Sequence, residues 1–222
     1  VIDTPGYADF VGDMVAGRRG ADAAVFCLKA SAGVEAGSGL VWDRVEERGG
    51  PVLGVVTQME KEHANFARVL EGATERLGMR FVAAAWPIGE AEKFRGLVDL
   101  VSMKAYLFEK DGTPKEAPVP AEIEADVKKA RAALVDAAAE ADDELLEKFL
   151  GGTELTVEEV RKGLHEGLLH RGFALAVPVA AVPMLGVDYL LDTFVDLLPS
   201  PLDLGAVRGA KPGGEANKVE FK

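Results

Sequence analysis

The stretch Ala23-Ala24-Val25-Phe26-Cys27-Leu28 is a continuous apolar run, and a second run, Pro51-Val52-Leu53-Gly54-Val55-Val56, follows it after a helical pattern. Short continuous apolar runs are typical of strands that are buried on both faces of a parallel sheet. We therefore interpret both runs as core strands and Cys27 as a core side chain. A third run, at 176–182, stands ahead of another helical pattern at 187–198. Strands that alternate with helices predict an α/β fold with a parallel sheet.

Upstream of the first run, Val1 and Ile2 have the apolar character of the end of a strand, and Asp3-Thr4-Pro5-Gly6 follows them. A carboxylate at a strand end can hold Mg²⁺, usually through water. A glycine at the next turn exposes its backbone N–H to a terminal phosphate, because no Cβ stands in the way. The four residues suit a nucleotide switch, but they fit a capped turn at the end of any strand as well.

Between the second and third runs the pattern changes, and residues 80–170 predict an α+β insert. The predicted elements are strands at 81–85, 96–101 and 104–109, a turn at Asp111-Gly112, a Pro-rich crossing at 114–120, and helices at 121–140 and 142–150. The strand at 81–85 is expected to end at Trp86-Pro87. A third helix is predicted after Thr156, because Thr156 and Glu159 have the spacing of a capping box.

Composition excludes several classes of protein. The 222 residues carry a formal net charge of −12, and no apolar run approaches the roughly 20 residues needed to span a bilayer. So acidic a surface argues against non-specific binding of nucleic acid, which needs Lys and Arg. Cys27 is the only cysteine and the three histidines lie far apart, so we expect neither an intrachain disulfide nor a zinc-type metal site. We expect a cytoplasmic monomer.

Several segments match one known family in order. Val-Ile-Asp-Thr-Pro-Gly-Tyr-Ala-Asp-Phe-Val-Gly at 1–12 resembles the switch II segment of elongation factor G, a translational GTPase. Further stretches resemble the same family at 22–34 with Val41-Trp42, at 94–100 with Lys104-Ala105-Tyr106, at 143–150, and at 190–201. The resemblance covers nearly the whole chain. It implies a P-loop-GTPase-type parallel sheet that lacks its N-terminal phosphate-loop part and carries an inserted α+β subdomain.

The resemblance also implies an arrangement of domains and a function. A partial G domain is expected at 1–79 and 171–201, the inserted subdomain at 80–170, and a linker with the first strand of a following domain at 202–222. The family binds GTP and Mg²⁺, associates with the ribosome, and drives translocation or recycling. No Gly-x-x-x-x-Gly-Lys-Ser/Thr occurs here, and such a loop would precede Val1. We therefore expect the true N-terminus to lie upstream, and the chain alone to bind and hydrolyse no GTP.

The resemblance assigns roles to the switch residues of this sequence one at a time. Asp3 matches the aspartate on the Mg²⁺ side, and Gly6 matches the glycine whose N–H meets the γ-phosphate, with Thr4 and Pro5 between them. Tyr7 stands where the family has a histidine that orients the attacking water. A tyrosine is a poor base and never a cation, so hydrolysis is in question. Alternatively, Tyr7 only packs at the switch.

The guanine-reading loops differ further from the family pattern. Thr57-Gln58-Met59-Glu60 occupies the place of Asn-Lys-Met-Asp. Glu60 keeps the carboxylate that reads guanine but is one methylene longer, and Gln58 keeps a flat stem that could lie over the base. The second loop, expected between Val179 and Gly186, has no Ser-Ala. Three alternatives to a working factor of the elongation factor G class follow: a pseudo-GTPase that binds the ribosome, a ribosomal protection protein, which is a close relative of that class, or drift in a decaying gene copy.

Overall fold

The computed structural model describes residues 1–109, 112–205, 207–210 and 218–221. In chain order the elements are α1 (Val11–Arg19), β1 (Ala24–Lys29), α2 (Ala36–Arg48), β2 (Val52–Thr57), α3 (Phe66–Leu77), β3 (Phe81–Ala83), β4 (Ala85–Ile88), β5 (Gly96–Asp99), β6 (Lys104–Phe108), β7 (Pro114–Ala117), α4 (Glu124–Glu140), α5 (Asp143–Leu150), α6 (Val157–Leu169), β8 (Ala174–Pro178), α7 (Val187–Leu197), β9 (Val207–Ala210) and β10 (Lys218–Phe221). Short 3-10 helices lie at Ala8–Phe10, Ala91–Lys93 and Ala121–Ile123.

A four-stranded parallel sheet forms the first layer of the molecule. Its strand order is β1-β2-β8-β3, and all three pairings are parallel. Strands β2 and β8 are buried along nearly their whole length, as their apolar runs predict. The predicted α/β fold class is confirmed. Because the strands are parallel, the carboxyl ends of β1, β2 and β8 meet at one edge of the sheet, where loops can form a site.

Strand β1 differs from its prediction because only one of its faces is buried. Phe26 points into the core, where its ring packs edge-on against Trp42 of α2 at 5.1 Å. The side chains of Val25, Cys27 and Lys29 alternate with the buried ones and are exposed. The prediction of Cys27 as a core residue is therefore wrong. Among the described residues β1 pairs with β2 alone, so it is an edge strand.

The N-terminal segment forms no strand. Val1 and Ile2 are exposed, and the predicted strand end at these residues is wrong. The segment lies along α1 instead of pairing with β1. A Cβ added to Gly17 of α1 would stand 2.6 Å from Thr4 Cγ2 and 3.3 Å from Ile2 Cγ2. The missing side chain at Gly17 is what lets the segment approach the helix so closely.

The second layer is an antiparallel meander in the order β4-β5-β6-β7. Two predictions fail here, since Trp86-Pro87 lies within β4 and does not end a strand, and part of the Pro-rich crossing is β7. Both strands are at the edges of the sheet, where a proline leaves no ladder hydrogen bond unmade. Helices α5 and α6 pack against α4, and α4 also contacts β3 of the parallel sheet. The capping box of Thr156 and Glu159 is confirmed at the start of α6.

The two sheets share one hydrophobic core. Strand β3 lies within the range predicted for the insert but pairs with β8 of the parallel sheet, and the chain crosses to the meander at Ala84. The domain boundaries stay a prediction. Asp111 of the predicted turn lies outside the described residues.

At the C-terminal end, β9 and β10 pair antiparallel. The predicted strand at the end of the chain is present at 218–221, and its assignment as the start of a following domain stays a prediction. Strand β9 interrupts the predicted linker, whose residues 206 and 211–217 lie outside the described part. No helix in the described ranges is long and apolar enough to cross a membrane.

Candidate functional site

The predicted switch residues Asp3, Thr4, Pro5 and Gly6 line a cavity of about 810 Å³ on the outer face of β1. Its walls are the segment 1–6, the exposed face of β1, the start of α2, and Leu190 and Phe194 of α7. Lys29 and Glu35 also line it and form an ion pair at 3.1 Å. Burial in this wall, and then the charge of Asp3, raise the pKa of the Cys27 thiol, although Cys27 is exposed at the surface. Asp3 and Cys27 are therefore electrostatic neighbours.

Asp3 is one of two carboxylates among the residues that line this cavity, and the other, Glu35, is paired with Lys29. Within the part of the chain that the structure describes, no group of three or more His, Cys, Asp or Glu side chains is placed to hold a metal ion. Asp3 could reach a Mg²⁺ ion through water, if phosphate oxygens and water supplied the other ligands. Gly6 suits the same chemistry, because no atom lies within 4 Å of the place where its Cβ would be. A phosphate oxygen can approach its backbone without a steric clash.

Tyr7 projects into solvent. Its residue surface is 79% exposed, and its carbonyl oxygen accepts a hydrogen bond from Phe10 N at 2.9 Å, which starts the short 3-10 helix. Packing against the described residues therefore does not account for a tyrosine at this position. Its hydroxyl is accessible to a ligand or a partner molecule.

The first predicted base-reading loop follows β2 directly. Thr57 ends the strand, and Gln58 has a left-handed backbone with φ of 63°. Met59 is fully buried, and its N–H donates to Val179 O at 3.2 Å, which ties this loop to the end of β8. Lys61 N donates back to Gln58 O at 3.0 Å and closes a turn around Glu60. The loop is thus ordered by main-chain contacts.

Glu60 has an unusual environment within this turn. Its Oε2 atom is buried and has no hydrogen-bond partner among the described residues. Its Oε1 atom lies 3.8 Å from Lys61 Nζ, which is too long for a hydrogen bond. A buried carboxylate oxygen without a donor costs free energy. Among the predicted site residues, Glu60 is therefore the one with a buried side-chain oxygen that no described residue satisfies.

The second predicted base-reading loop is a closed turn. Ala180 and Leu185 exchange two backbone hydrogen bonds, both at 2.9 Å, and the tip between them exposes Val182 and Met184. The carbonyl oxygens of Pro183 and Met184 lie 3.7 and 3.6 Å from the position that a Cβ on Gly112 would take. This loop therefore rests against the turn between β6 and β7.

The structure does not bring the two predicted sets of residues into one cavity. The residues that line the switch cavity do not include Thr57, Gln58, Met59 or Glu60. The switch residues lie against the outer face of β1, and Thr57-Gln58-Met59-Glu60 lies at the carboxyl end of β2. Ligands of open α/β sheets bind at that carboxyl edge.

Sequence reasoning missed Glu90. Its Oε1 atom accepts a hydrogen bond from Phe66 N at 3.3 Å, at the N-terminus of α3, where the first base-reading loop ends. The two residues are 24 positions apart, and Glu90 belongs to the segment after β4. No local sequence pattern predicts the contact between Glu90 and Phe66, because it depends on how the two sheets pack.

Comparisons with known proteins match this architecture. The family model described as the elongation factor Tu GTP binding domain matches residues 1–200. A solved structure of a protein from Thermus thermophilus superposes with a TM-score of 0.82 at 34% identity over 90% of this chain. The chain spans 30% of the length of that protein.

Proposed function

The chain belongs to the family of the elongation factor Tu GTP-binding domain, and from this premise we propose that it serves a ribosome-associated translation factor of the elongation factor G class. Its domain is of the translational GTPase type. In the proposed role the full-length protein binds GTP with Mg²⁺ in the cytoplasm and couples hydrolysis to translocation or recycling of ribosomes.

The unpaired side-chain oxygen of Glu60 is the observation that carries the proposal. Guanine offers two adjacent donors, N1–H and the 2-amino group, and adenine does not offer this pair. The carboxylate of Glu60 lies at the carboxyl edge of a parallel sheet, and one of its oxygens has no donor among the described residues, so it has acceptor capacity for such a partner. The rest of the loop supports the same role, because Gln58 stands beside Glu60 and could lay its side chain over the base.

The switch residues have matching roles in this proposal. Asp3 accepts hydrogen bonds from water bound to Mg²⁺, and Gly6 offers its backbone N–H to the terminal phosphate. The bound Mg²⁺ supplies positive charge against the phosphates. The residues of this chain orient the nucleotide at its two ends, through Asp3 and Gly6 at the phosphates and through Glu60 at the base.

A second candidate function is a pseudo-GTPase that binds ribosomes and turns over little or no GTP. The exposure of Tyr7 favours it, since packing against the described residues does not fix the side chain. The closed turn between Ala180 and Leu185 favours it as well, because its backbone groups already bond to each other. Both candidates share the base-reading loop, so they differ in turnover and not in binding.

Base selection by the full-length protein tests the proposal. We expect GDP to bind more tightly than ADP, by roughly 10- to 100-fold, which is below the roughly 10⁴-fold that a fully matched polar site reaches. Glu60→Gln should weaken GDP and leave ADP nearly unchanged, because it replaces a double acceptor by an amide. Glu60→Asp is the matched control and should keep the preference. Equal affinities of the wild-type protein for GDP and ADP would exclude the proposal.

A further inference from the structure

The segment 57–65, which begins with the predicted base-reading loop Thr57-Gln58-Met59-Glu60, ends in the first turn of α3, and this turn is held from two sides. From the parallel sheet, Ala30 O accepts the backbone N–H of Asn65 at 3.0 Å. From the meander side, Glu90 Oε1 accepts the N–H of Phe66 at 3.3 Å. The helix supplies its own cap as well, since Asn65 Oδ1 accepts from Arg68 N at 2.8 Å. Two of the first N–H groups of α3 are therefore capped by side chains, and one of these side chains comes from a distant segment.

Glu90 is presented to α3 by a tightly folded turn. Gly89 has a φ of 80°, and a Cβ on it would lie 2.0 Å from Lys93 O, so only glycine fits there. Lys93 N donates to Glu90 O at 3.1 Å and closes the next turn. On the other side of this segment, the buried ring of Phe66 meets Trp86 edge-on at 5.7 Å. The main chain and a ring contact thus fix Glu90 against the helix.

We propose that Glu90 is a positioning residue for the base-reading loop. Its carboxylate fixes the first turn of α3 through a hydrogen bond and through its charge at the positive end of the helix. The loop has a second anchor at its start, where Met59 N bonds to Val179 O. Glu90 thereby sets where the loop ends and how freely Glu60 moves. The role of the loop in reading a base rests on the proposed function, but its anchoring by Glu90 does not.

Amide hydrogen exchange of the 222-residue chain tests the anchor directly. In Glu90→Ala the amide of Phe66 and those of the loop should exchange about fivefold faster, which is the usual effect of losing a helix cap. Glu90→Gln keeps an acceptor oxygen and should stay within about twofold of the wild type. Glu92→Ala removes a neighbouring exposed carboxylate and should change nothing. Amides of β5 should be unaffected in all three variants.

The proposal is wrong if Glu90→Ala leaves the exchange of Phe66 unchanged, or if Glu90→Gln fails to restore it. A second measurement, on the full-length protein, separates anchoring from the proposed function. Glu90→Ala should reduce the ratio of GDP affinity to ADP affinity about threefold, and Glu92→Ala should leave this ratio unchanged. If the wild-type protein shows no preference between GDP and ADP, the proposed function fails, and the exchange experiment still decides whether Glu90 anchors the loop.

Discussion

At the scale of single residues, Tyr7 is the one on which GTP turnover depends in the proposed function. In phosphoryl transfer the protein contributes mainly positioning and charge stabilisation, so one misplaced group can be costly. The phenol oxygen of a tyrosine lies further from the backbone than an imidazole nitrogen, and its pKa is ordinarily about 10, which makes it a poor base. In this structure the side chain extends into solvent, so an ordering partner would have to bring it to the nucleotide.

We expect the full-length protein to hydrolyse GTP slowly even with ribosomes, and Tyr7→His to raise the rate. A water-orienting group typically contributes about 10²- to 10⁴-fold, so the gain should be at least about tenfold. Single-turnover rates with and without ribosomes measure it. Tyr7→Phe is the control, and it separates a role of the hydroxyl from one of the ring. A fast wild type that gains nothing from Tyr7→His would remove the main support for the pseudo-GTPase.

At the scale of elements, the contact between α4 and α6 is closer than ordinary side chains allow. A Cβ on Gly163 of α6 would stand 2.2 Å from Ala138 O and 3.0 Å from Ala138 Cα. These are backbone atoms of α4, so they cannot move aside as a flexible side chain would. The glycine therefore sets the spacing of the two helices.

Gly163→Ala should lower the free energy of unfolding by about 3 kcal/mol, because the added methyl group forces the two helices apart. Gly72→Ala is the matched control, since Gly72 lies in α3 and nothing is within 4 Å of the place of its Cβ. There the change should raise stability by about 0.5 to 1 kcal/mol through helix propensity. Urea unfolding followed by circular dichroism measures both. Equal effects of the two substitutions would contradict the close contact.

The elements also show what the sequence could and could not predict. The buried strands β2 and β8 and the capping box of Thr156 follow from local patterns, because one apolar run or one spacing is enough to specify them. Strand β7 does not, since its residues are exposed or half-buried and carry no alternation. The exposed face of β1 depends on what packs beside it, which no apolar run records. Glu60 could be proposed as a site residue because its segment resembles a family pattern. Its unpaired oxygen and the contact of Glu90 with α3 could not be predicted, because both depend on how distant segments pack together.

At the scale of the whole molecule, Tyr189 connects the two sheets. Its hydroxyl lies 2.9 Å from Asp99 Oδ1 at the end of β5 and 3.0 Å from Ala84 O, where the chain leaves the parallel sheet. Asp99 also accepts hydrogen bonds from Val101 N and from Ser102. Burial, and then the charge of Asp99, raise the pKa of Tyr189 well above its ordinary value. The hydroxyl is therefore held as a neutral donor.

Tyr189→Phe should lower the free energy of unfolding by about 2 kcal/mol at pH 7, the usual cost of losing a hydrogen bond to a charged group. This stabilisation by Tyr189 is complete below its unfolded pKa of 10.0 and is lost as pH rises towards the folded pKa. The difference between wild type and variant should therefore shrink by about 1.4 kcal/mol per pH unit above about pH 10. Urea unfolding from about pH 7 to about pH 11 measures it, with the exposed Tyr7→Phe as control. A difference that stays constant over this range would contradict the assignment.

The lone thiol of Cys27 gives the molecule a built-in attachment point. Since it is exposed and lies in the wall of the switch cavity, a maleimide fluorophore would go to one defined place without any cysteine having to be removed first. Its raised pKa means that labelling needs a mildly alkaline buffer, because the thiolate is the reactive form. A dye at that position would report, through its emission, on whatever comes to fill the space between Asp3 and α7.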